Sequence, residues 1–166
     1  MLKRPFGLAV SFIAIIATSP LLILIAIWIK LDSPGPVFYR GARVGLHGKL
    51  FRIYKFRSMV INADKIGGPS TAGDDPRITR AGKVIRRFKL DELPQFINVL
   101  KGEMSLVGPR ALPCLEQEVL EKEIEGFRDR LQIVPGLTGL SQVYNKEDEN
   151  LLKLRLDKEY IDTMNI

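Results

Sequence analysis

The chain has 166 residues, a formal net charge of +6 and 46% hydrophobic residues, enough for one compact domain plus an anchor but not for two full domains. A single cysteine, Cys114, excludes an internal disulfide and fits a reducing compartment; it reads as a small apolar packing residue. The basic excess suits phosphates or anionic lipid. Aromatic residues do not alternate with the cations as a stacking platform requires, so the expectation is no nucleic acid partner.

The charge is unevenly spread. Residues 30–110 hold 16 Lys and Arg against 7 Asp and Glu, a net of +9, whereas residues 111–166 hold 7 against 12, a net of −5. The basic half follows directly on an apolar N-terminal stretch, where it can meet head groups or phosphorylated substrates.

That stretch, residues 8–29, is 22 positions without a charge. As a straight helix it would span about 33 Å, enough for a hydrocarbon core of ~30 Å. A soluble helix this apolar on every face would need a larger protein around it. A cleaved leader fits less well, because the stretch is long and no small-x-small site closes it before Trp28-Ile29-Lys30. Thr18-Ser19-Pro20 interrupts the run. Proline lacks a backbone donor and crowds the preceding turn, so a helix break is expected at Ser19 and Pro20, with the hydroxyls satisfying freed backbone groups. Both flanks are positive, Lys3 and Arg4 before and Lys30, Arg40 and Arg43 after. A straight span leaves one positive flank outside; a bent helix that enters and leaves on the cytoplasmic side does not. These residues alone leave spanning and re-entry open.

Asp32-Ser33-Pro34-Gly35-Pro36 reads as a stiff exit turn. Residues 37–40 and 50–57 read as two strands, with the turn at residues 45–48, hence a β-hairpin. His47 lies in that turn and, with no second His or Cys nearby, reads as an exposed loop residue. Residues 62–76 read as a mobile surface loop, and residues 78–89 as a short basic helix suited to a head-group surface. Leu93, Phe96, Ile97 and Leu100 share one helical face, and Lys101-Gly102 ends that helix. Further helices are expected over residues 115–131 and 148–160, separated by a tight loop, Pro135-Gly136-Leu137-Thr138-Gly139. The sequence has no internal repeats.

The most informative residues are Leu90-Asp91-Glu92-Leu93-Pro94-Gln95, set between the basic run 83–89 and Gly108-Pro109-Arg110. Asp91 falls at the N-cap of a 92–101 helix, and a plain capping role is one reading. The same position keeps a carboxylate ionised and can accept a phosphate. Side chains of adjacent helical residues diverge by about 100°, so Asp91 and Glu92 are expected to do different jobs: one attacks phosphorus while the other binds a divalent ion or steers a proton. Lys55 and Arg57 alternate along a strand, either as solvated surface or as phosphate ligands. Arg86 and Arg87 could face lipid, and Arg110 sits on a rigid turn that suits bidentate phosphate binding.

These motifs, taken in order, resemble the bacterial sugar transferases, small monotopic polyprenyl-phosphate sugar-1-phosphate transferases (phosphoglycosyl transferases). The matching pieces are Ser33-Pro34-Gly35-Pro36-Val37-Phe38, Arg43-Val44-Gly45, Tyr54-Lys55-Phe56-Arg57-Ser58-Met59, Asp75-Pro76-Arg77-Ile78-Thr79-Arg80 and Leu90-Asp91-Glu92-Leu93-Pro94-Gln95. Asn98-Val99-Leu100-Lys101-Gly102-Glu103-Met104-Ser105, Gly108-Pro109-Arg110 and Pro135-Gly136-Leu137-Thr138-Gly139 complete the set, which covers nearly the whole chain.

The resemblance implies transfer of sugar-1-phosphate from a UDP-sugar to undecaprenyl phosphate with release of UMP, the first membrane step in making an exopolysaccharide, O-antigen or glycoprotein glycan. It implies Asp91 as nucleophile in a ping-pong reaction and Glu92 as its dyad partner. It also implies a Mg²⁺ requirement, with Asp91 and Glu92 as the metal residues, and phosphate contacts from Lys55, Arg57, Arg86 and Arg110. The fold it implies is α+β and mostly helical. A re-entrant membrane helix (residues 1–30), bent at Ser19 and Pro20, precedes a cytoplasmic catalytic domain (residues 31–166) with a short hairpin and surface helices, on the inner membrane among its lipids.

Three positions depart from the family pattern. Gly7 stands where an Asp usually follows the basic pair, so an anchoring ion pair is expected to be lost. Val134 stands where a basic residue commonly precedes the Pro-Gly-Leu-Thr-Gly motif. The chain stops at Ile166, where relatives continue into an amphipathic segment, as in a truncated or short member, and activity is expected to suffer. A non-catalytic membrane adaptor with a basic lipid-binding domain is the alternative; an ordinary glycosyltransferase would alternate strands and helices, which this chain does not. The sugar, the pathway and homodimer formation are not legible in the sequence.

Overall fold

The computed structural model describes residues 3–67 and 75–164; part of the loop expected at residues 62–76 lies outside them. Among the described residues the protein is mostly helical, with three two-stranded sheets. Its contacts divide it into two units, one of Met1–Phe12, Gly41–Ile53 and Gln95–Ile166, the other of Ile13–Arg40 and Tyr54–Pro94.

Helix α1 (Lys3–Asp32) runs 30 residues and contributes to both units. Its mean hydropathy is 2.6 over the best 18-residue window, of which only 11% is buried, so it is long and apolar enough to cross a membrane and is not buried as a core helix of the described residues. Ile13, Ile16, Leu24, Ile27 and Leu31 all stand exposed. The helix continues through Ser19 and Pro20 rather than ending there. Thr18 Oγ1 donates to the Ala14 carbonyl at 2.7 Å and Ser19 Oγ to that of Ile16 at 2.8 Å, which keeps polar groups next to the proline paired in an apolar setting.

In the second unit, β1 (Phe38–Tyr39) pairs antiparallel with β4 (Lys55–Phe56). One helical turn, α2 (Ala63–Ile66), stands within the expected loop, and α3 (Arg80–Arg87) is capped by Thr79, whose side chain accepts from the Gly82 amide. Ile25, Ile29, Phe56 and Ile85 form the core, packed round by Leu22, Ala26, Val37 and Leu90.

In the first unit, β2 (Ala42–Val44) pairs antiparallel with β3 (Leu50–Arg52) across a turn in which His47 (φ 53°) and Gly48 (φ 81°) are left-handed. His47 is exposed. The expected hairpin is thus present, its ladder split into two short pieces. The helix expected to start at Asp91 divides in two. Leu90–Gln95 is a 3₁₀-helix and only Phe96–Lys101 (α4) is α-helical, closed by Gly102 at φ 83°. Pro94, lacking an N–H, sits where the two meet. Likewise residues 115–131 form α5 (Cys114–Glu123) and a 3₁₀-helix (Phe127–Gln132), separated at Gly126, which takes φ 74°.

The tight loop expected at residues 135–139 is instead a strand. β6 (Gly136–Thr138) lies parallel to β5 (Ser105–Val107). The reason is close backbone approach: a Cβ on Gly108 would stand 2.7 Å from the Val134 carbonyl oxygen, and one on Gly136 2.6 Å from that of Gly108. Only glycines let these segments pair. α6 (Leu140–Tyr144) and α7 (Asn150–Met164) complete the unit. Its cores are Phe51, Ile53, Val99, Met104 and Ala111, and separately Leu112, Leu120, Phe127 and Leu154.

Candidate active site

Lys55, Arg57, Arg86, Asp91 and Glu92 all lie in the second unit, where Lys55, Arg86 and Glu92 act on the charge of Asp91 and Arg57 does not. α3 ends at Arg87, and Lys89 then takes φ 55°, an uncommon conformation for a residue with a side chain. This reversal launches the 3₁₀-helix that carries Asp91 and Glu92, and the Glu92 amide bonds back to the Lys89 carbonyl at 3.3 Å. Asp91 therefore lies inside the first turn of a 3₁₀-helix and is not the N-cap of an α-helix. With three residues per turn, adjacent side chains diverge by about 120°, so Asp91 and Glu92 point apart.

Lys55 comes from β4, opposite Tyr39 of β1. Its Nζ reaches Glu92 Oε1 at 2.7 Å, with both side chains largely enclosed. Asp91 is held above the usual carboxylate range, first by burial and then by the Glu92 charge; Lys55 and Arg86 pull the other way. The result is a carboxylate poorly solvated by water and facing two cations. Desolvation makes the ionised form of such a group a better nucleophile, and the cations offset part of the upward shift.

Arg57 departs from the phosphate-binding expectation. It is buried, and its guanidinium donates to the carbonyls of Ile29 (3.3 Å), Ser33 (2.8 Å) and Pro34. These belong to the last turn of α1 and the exit turn after it; the Ile29 carbonyl also accepts from the Ser33 amide at 3.3 Å, and carbonyls past a helix end lack a helical partner. Burial pulls its pKa down while the Asp32 charge supports the cation. Arg57 thus fixes the end of α1. Gly35, at φ 120°, leaves the room it occupies. Asp32 in turn accepts the Ala81 amide at 3.0 Å, tying α1 to the start of α3.

Arg110 belongs to the first unit, bridged to Gly136 in parallel fashion. Sequence reasoning missed what lies behind it. Arg130 is buried and donates at 2.8 Å to the Arg110 carbonyl, and it is paired with buried Asp157 at 2.9 Å. The signal was available: Phe127, Arg130 and Leu131 put a charge on an apolar helical face, and Leu154 and Ile161 flank Asp157 in the same way. The Gly7 departure also has an answer. Gly7 is buried with Leu106 and Val99 nearby, and Arg4 donates to the Val99 carbonyl at 2.9 Å, at the last turn of α4. Backbone carbonyls there serve where an aspartate was expected. Val134 is half-buried with its carbonyl beside Gly108.

Among the described residues no group of three or more His, Cys, Asp or Glu gathers as a self-sufficient metal site. Mg²⁺ is commonly held by one or two carboxylates and completed by substrate phosphates and water; Asp91 and Glu92 are the hard oxygen donors of this site, with side chains that point apart and Glu92 paired to Lys55.

The chain is 41% identical to a UDP-N-acetylgalactosamine-undecaprenyl-phosphate N-acetylgalactosaminephosphotransferase of Aeromonas hydrophila, over 99% of this chain and 40% of the relative. It is 42% identical to a UDP-glucose:undecaprenyl-phosphate glucose-1-phosphate transferase of Escherichia coli (strain K12), over 97% of this chain and 36% of the relative. It is 44% identical to an exopolysaccharide production protein of Rhizobium leguminosarum bv. phaseoli, over 86% of this chain and 74% of the relative. The chain thus spans two-fifths or less of the length of the first two. The model for bacterial sugar transferase matches residues 1–166, and the chain belongs to the bacterial sugar transferase family.

Proposed function

We propose that this protein transfers a sugar-1-phosphate from a UDP-sugar to undecaprenyl phosphate, releasing UMP, in a ping-pong reaction through a phosphosugar ester of Asp91. The observation that carries the reading is the local electrostatics of the 3₁₀-helix: Asp91 partly desolvated, with Lys55, Glu92 and Arg86 acting on its charge. Family membership and the reactions named for the relatives at 41% and 42% identity support the substrate class.

In this reading an Asp91 carboxylate oxygen attacks the β-phosphorus of the donor, and the bond to the bridging oxygen breaks so that UMP carries away the electron pair. An oxygen of the lipid phosphate then attacks the same phosphorus and expels Asp91. Lys55 and Arg86 neutralise phosphate oxygens, a role worth a few kcal/mol per well-placed donor, and Arg110 keeps the phosphate contact that the family resemblance gives it. Arg57 acts indirectly, by holding the end of α1. Asp91 and Glu92 would hold Mg²⁺, which when bound withdraws charge from the diphosphate and eases departure of UMP. α1, bent at Ser19 and Pro20, serves as a re-entrant anchor that keeps the site on the cytoplasmic face of the inner membrane, at the depth of the lipid phosphate.

Incubating the protein with UDP-glucose or UDP-N-acetylgalactosamine labelled in the sugar, without lipid, should leave label on Asp91 and release UMP. Asp91→Asn should abolish both. Label that persists in that variant, or release of UDP instead of UMP, would refute the reading. The non-catalytic adaptor alternative expects no nucleotide product at all.

A further inference from the structure

The first unit buries a complete ion pair that the proposed chemistry does not use. Arg130 is 2% exposed and Asp157 1%. Arg130 Nε and Nη2 each lie 2.9 Å from Asp157 Oδ2, its Nη1 donates to Gln117 Oε1 at 3.1 Å, and its Nη2 also donates to the Arg110 carbonyl at 2.8 Å. Ser141 Oγ donates to the other oxygen of Asp157 at 3.0 Å. The guanidinium rests 5.1 Å from the centre of the Phe127 ring. Burying two charges costs solvation that their attraction does not reliably return, so a pair of this kind is weak evidence for stability as such. What it supplies is direction. A planar fork held on one carboxylate can present a further N–H at a fixed angle.

That N–H meets the backbone of Arg110. The same segment is gripped from its other side by β6, where the Gly136 amide donates to the Pro109 carbonyl and the Gly108 amide to that of Thr138, each at 2.8 Å. Gly108, Pro109 and Arg110 each therefore contribute one backbone group to these bonds, two of them to β6 and one to Arg130. We infer that Arg130, set by Asp157 on α7, is a positioning residue that fixes the backbone from which the Arg110 side chain reaches substrate phosphate. The inference rests on the role given to Arg110 above. It makes α7 a working part of the enzyme, because α7 carries Asp157 to Arg130.

The test uses the whole chain in detergent or nanodiscs, with UMP release from UDP-glucose or UDP-N-acetylgalactosamine and amide hydrogen exchange over residues 105–112 as readouts. The paired variant R130M/D157L replaces the ions with apolar groups of similar size, a change that such pairs often tolerate in stability. Its kcat is expected to fall on the order of 10- to 100-fold, as for a displaced charge contact, with KM little changed and exchange at residues 108–110 accelerated. In an R110A background the same pair of changes should cost less than about threefold further, since the two act through one side chain. R130K, which keeps a charge for Asp157 but offers one nitrogen instead of a fork, should show the same kcat loss and decides the matter if the paired variant fails to fold. A folded R130M/D157L or R130K variant with wild-type UMP release and exchange, or a loss that multiplies in full onto that of R110A, overturns the inference. If R110A alone leaves UMP release intact, the role of Arg110 itself fails. If the wild type releases no UMP from either donor, the proposed function fails, and hydrogen exchange still decides whether Arg130 holds the segment.

Discussion

Replacing Gly136 by alanine adds one methyl group at a close backbone approach between β6 and the segment that carries Arg110. The added Cβ would lie 2.6 Å from the Gly108 carbonyl oxygen and closer still to its amide nitrogen, against 3.4 Å for ordinary contact. The clash is with backbone on both counts, so no side-chain rotation relieves it, and β5 and β6 must separate by about 1 Å. Three hydrogen bonds of 2.8 Å cross this junction: Ser105 to Pro135, Gly108 to Thr138 and Gly136 to Pro109. Losing or stretching them, at about 0.5–1.5 kcal/mol each, gives a destabilisation of roughly 2–4 kcal/mol, and a melting temperature lower by about 5–15 °C for a chain of this size. Arg110, bridged to Gly136, moves with the strand, so UMP release should fall on the order of 100-fold. Thermal unfolding and UMP release on the same preparation measure both. Gly48→Ala is the control: its added Cβ would meet nothing within 4 Å, leaving only the strain of φ 81°, about 1 kcal/mol. A Gly136→Ala variant that melts and turns over like the wild type would refute the claim that glycine is required here for close approach.

Three further outcomes are expected. Asp91 is raised by burial, so the acid limb of the UMP-release pH profile should lie above the ordinary carboxylate range. Lys55→Met removes the cation that most opposes the shift and should move the limb higher; an unmoved limb counts against Asp91 as the titrating group. Asp75, bonded to Arg77, is held down at about 2, below its unfolded value of about 3.9, so its contribution is present above that value and is lost as pH falls through 2. The stability gap between wild type and Asp75→Asn, followed by thermal melts, should be constant above about pH 4 and close towards pH 2; a gap that widens in acid would contradict the assignment. Arg57→Met takes their donor from the Ser33 and Pro34 carbonyls just after α1 and should cost about 2–4 kcal/mol, read as a lower melting temperature and easier proteolysis at residues 33–36. If that variant instead melts normally and loses only donor affinity, Arg57 is a substrate ligand after all.

Local chemistry was legible in the chain itself. The uncharged run of residues 8–29, the glycine stop at Gly102, the hairpin turn and the adjacent carboxylates follow from side-chain polarity and backbone preference within a few residues, and the structure bears them out. What failed was whatever depended on a distant partner. Pro135-Gly136-Leu137-Thr138-Gly139 carries turn residues, and only the arrival of β5 makes it a strand. Arg57 alternates with Lys55 as a surface pair would, and only the carbonyls of Ile29, Ser33 and Pro34, more than twenty residues earlier, turn it inward. The pairing of Arg130 with Asp157, 27 residues apart, is likewise invisible to spacing. Residue chemistry therefore determined the long apolar helix and the adjacent pair of carboxylates. Tertiary structure decided which cations are consumed holding the backbone, because a buried charge goes to whatever acceptors packing brings within reach, and no local pattern encodes that choice.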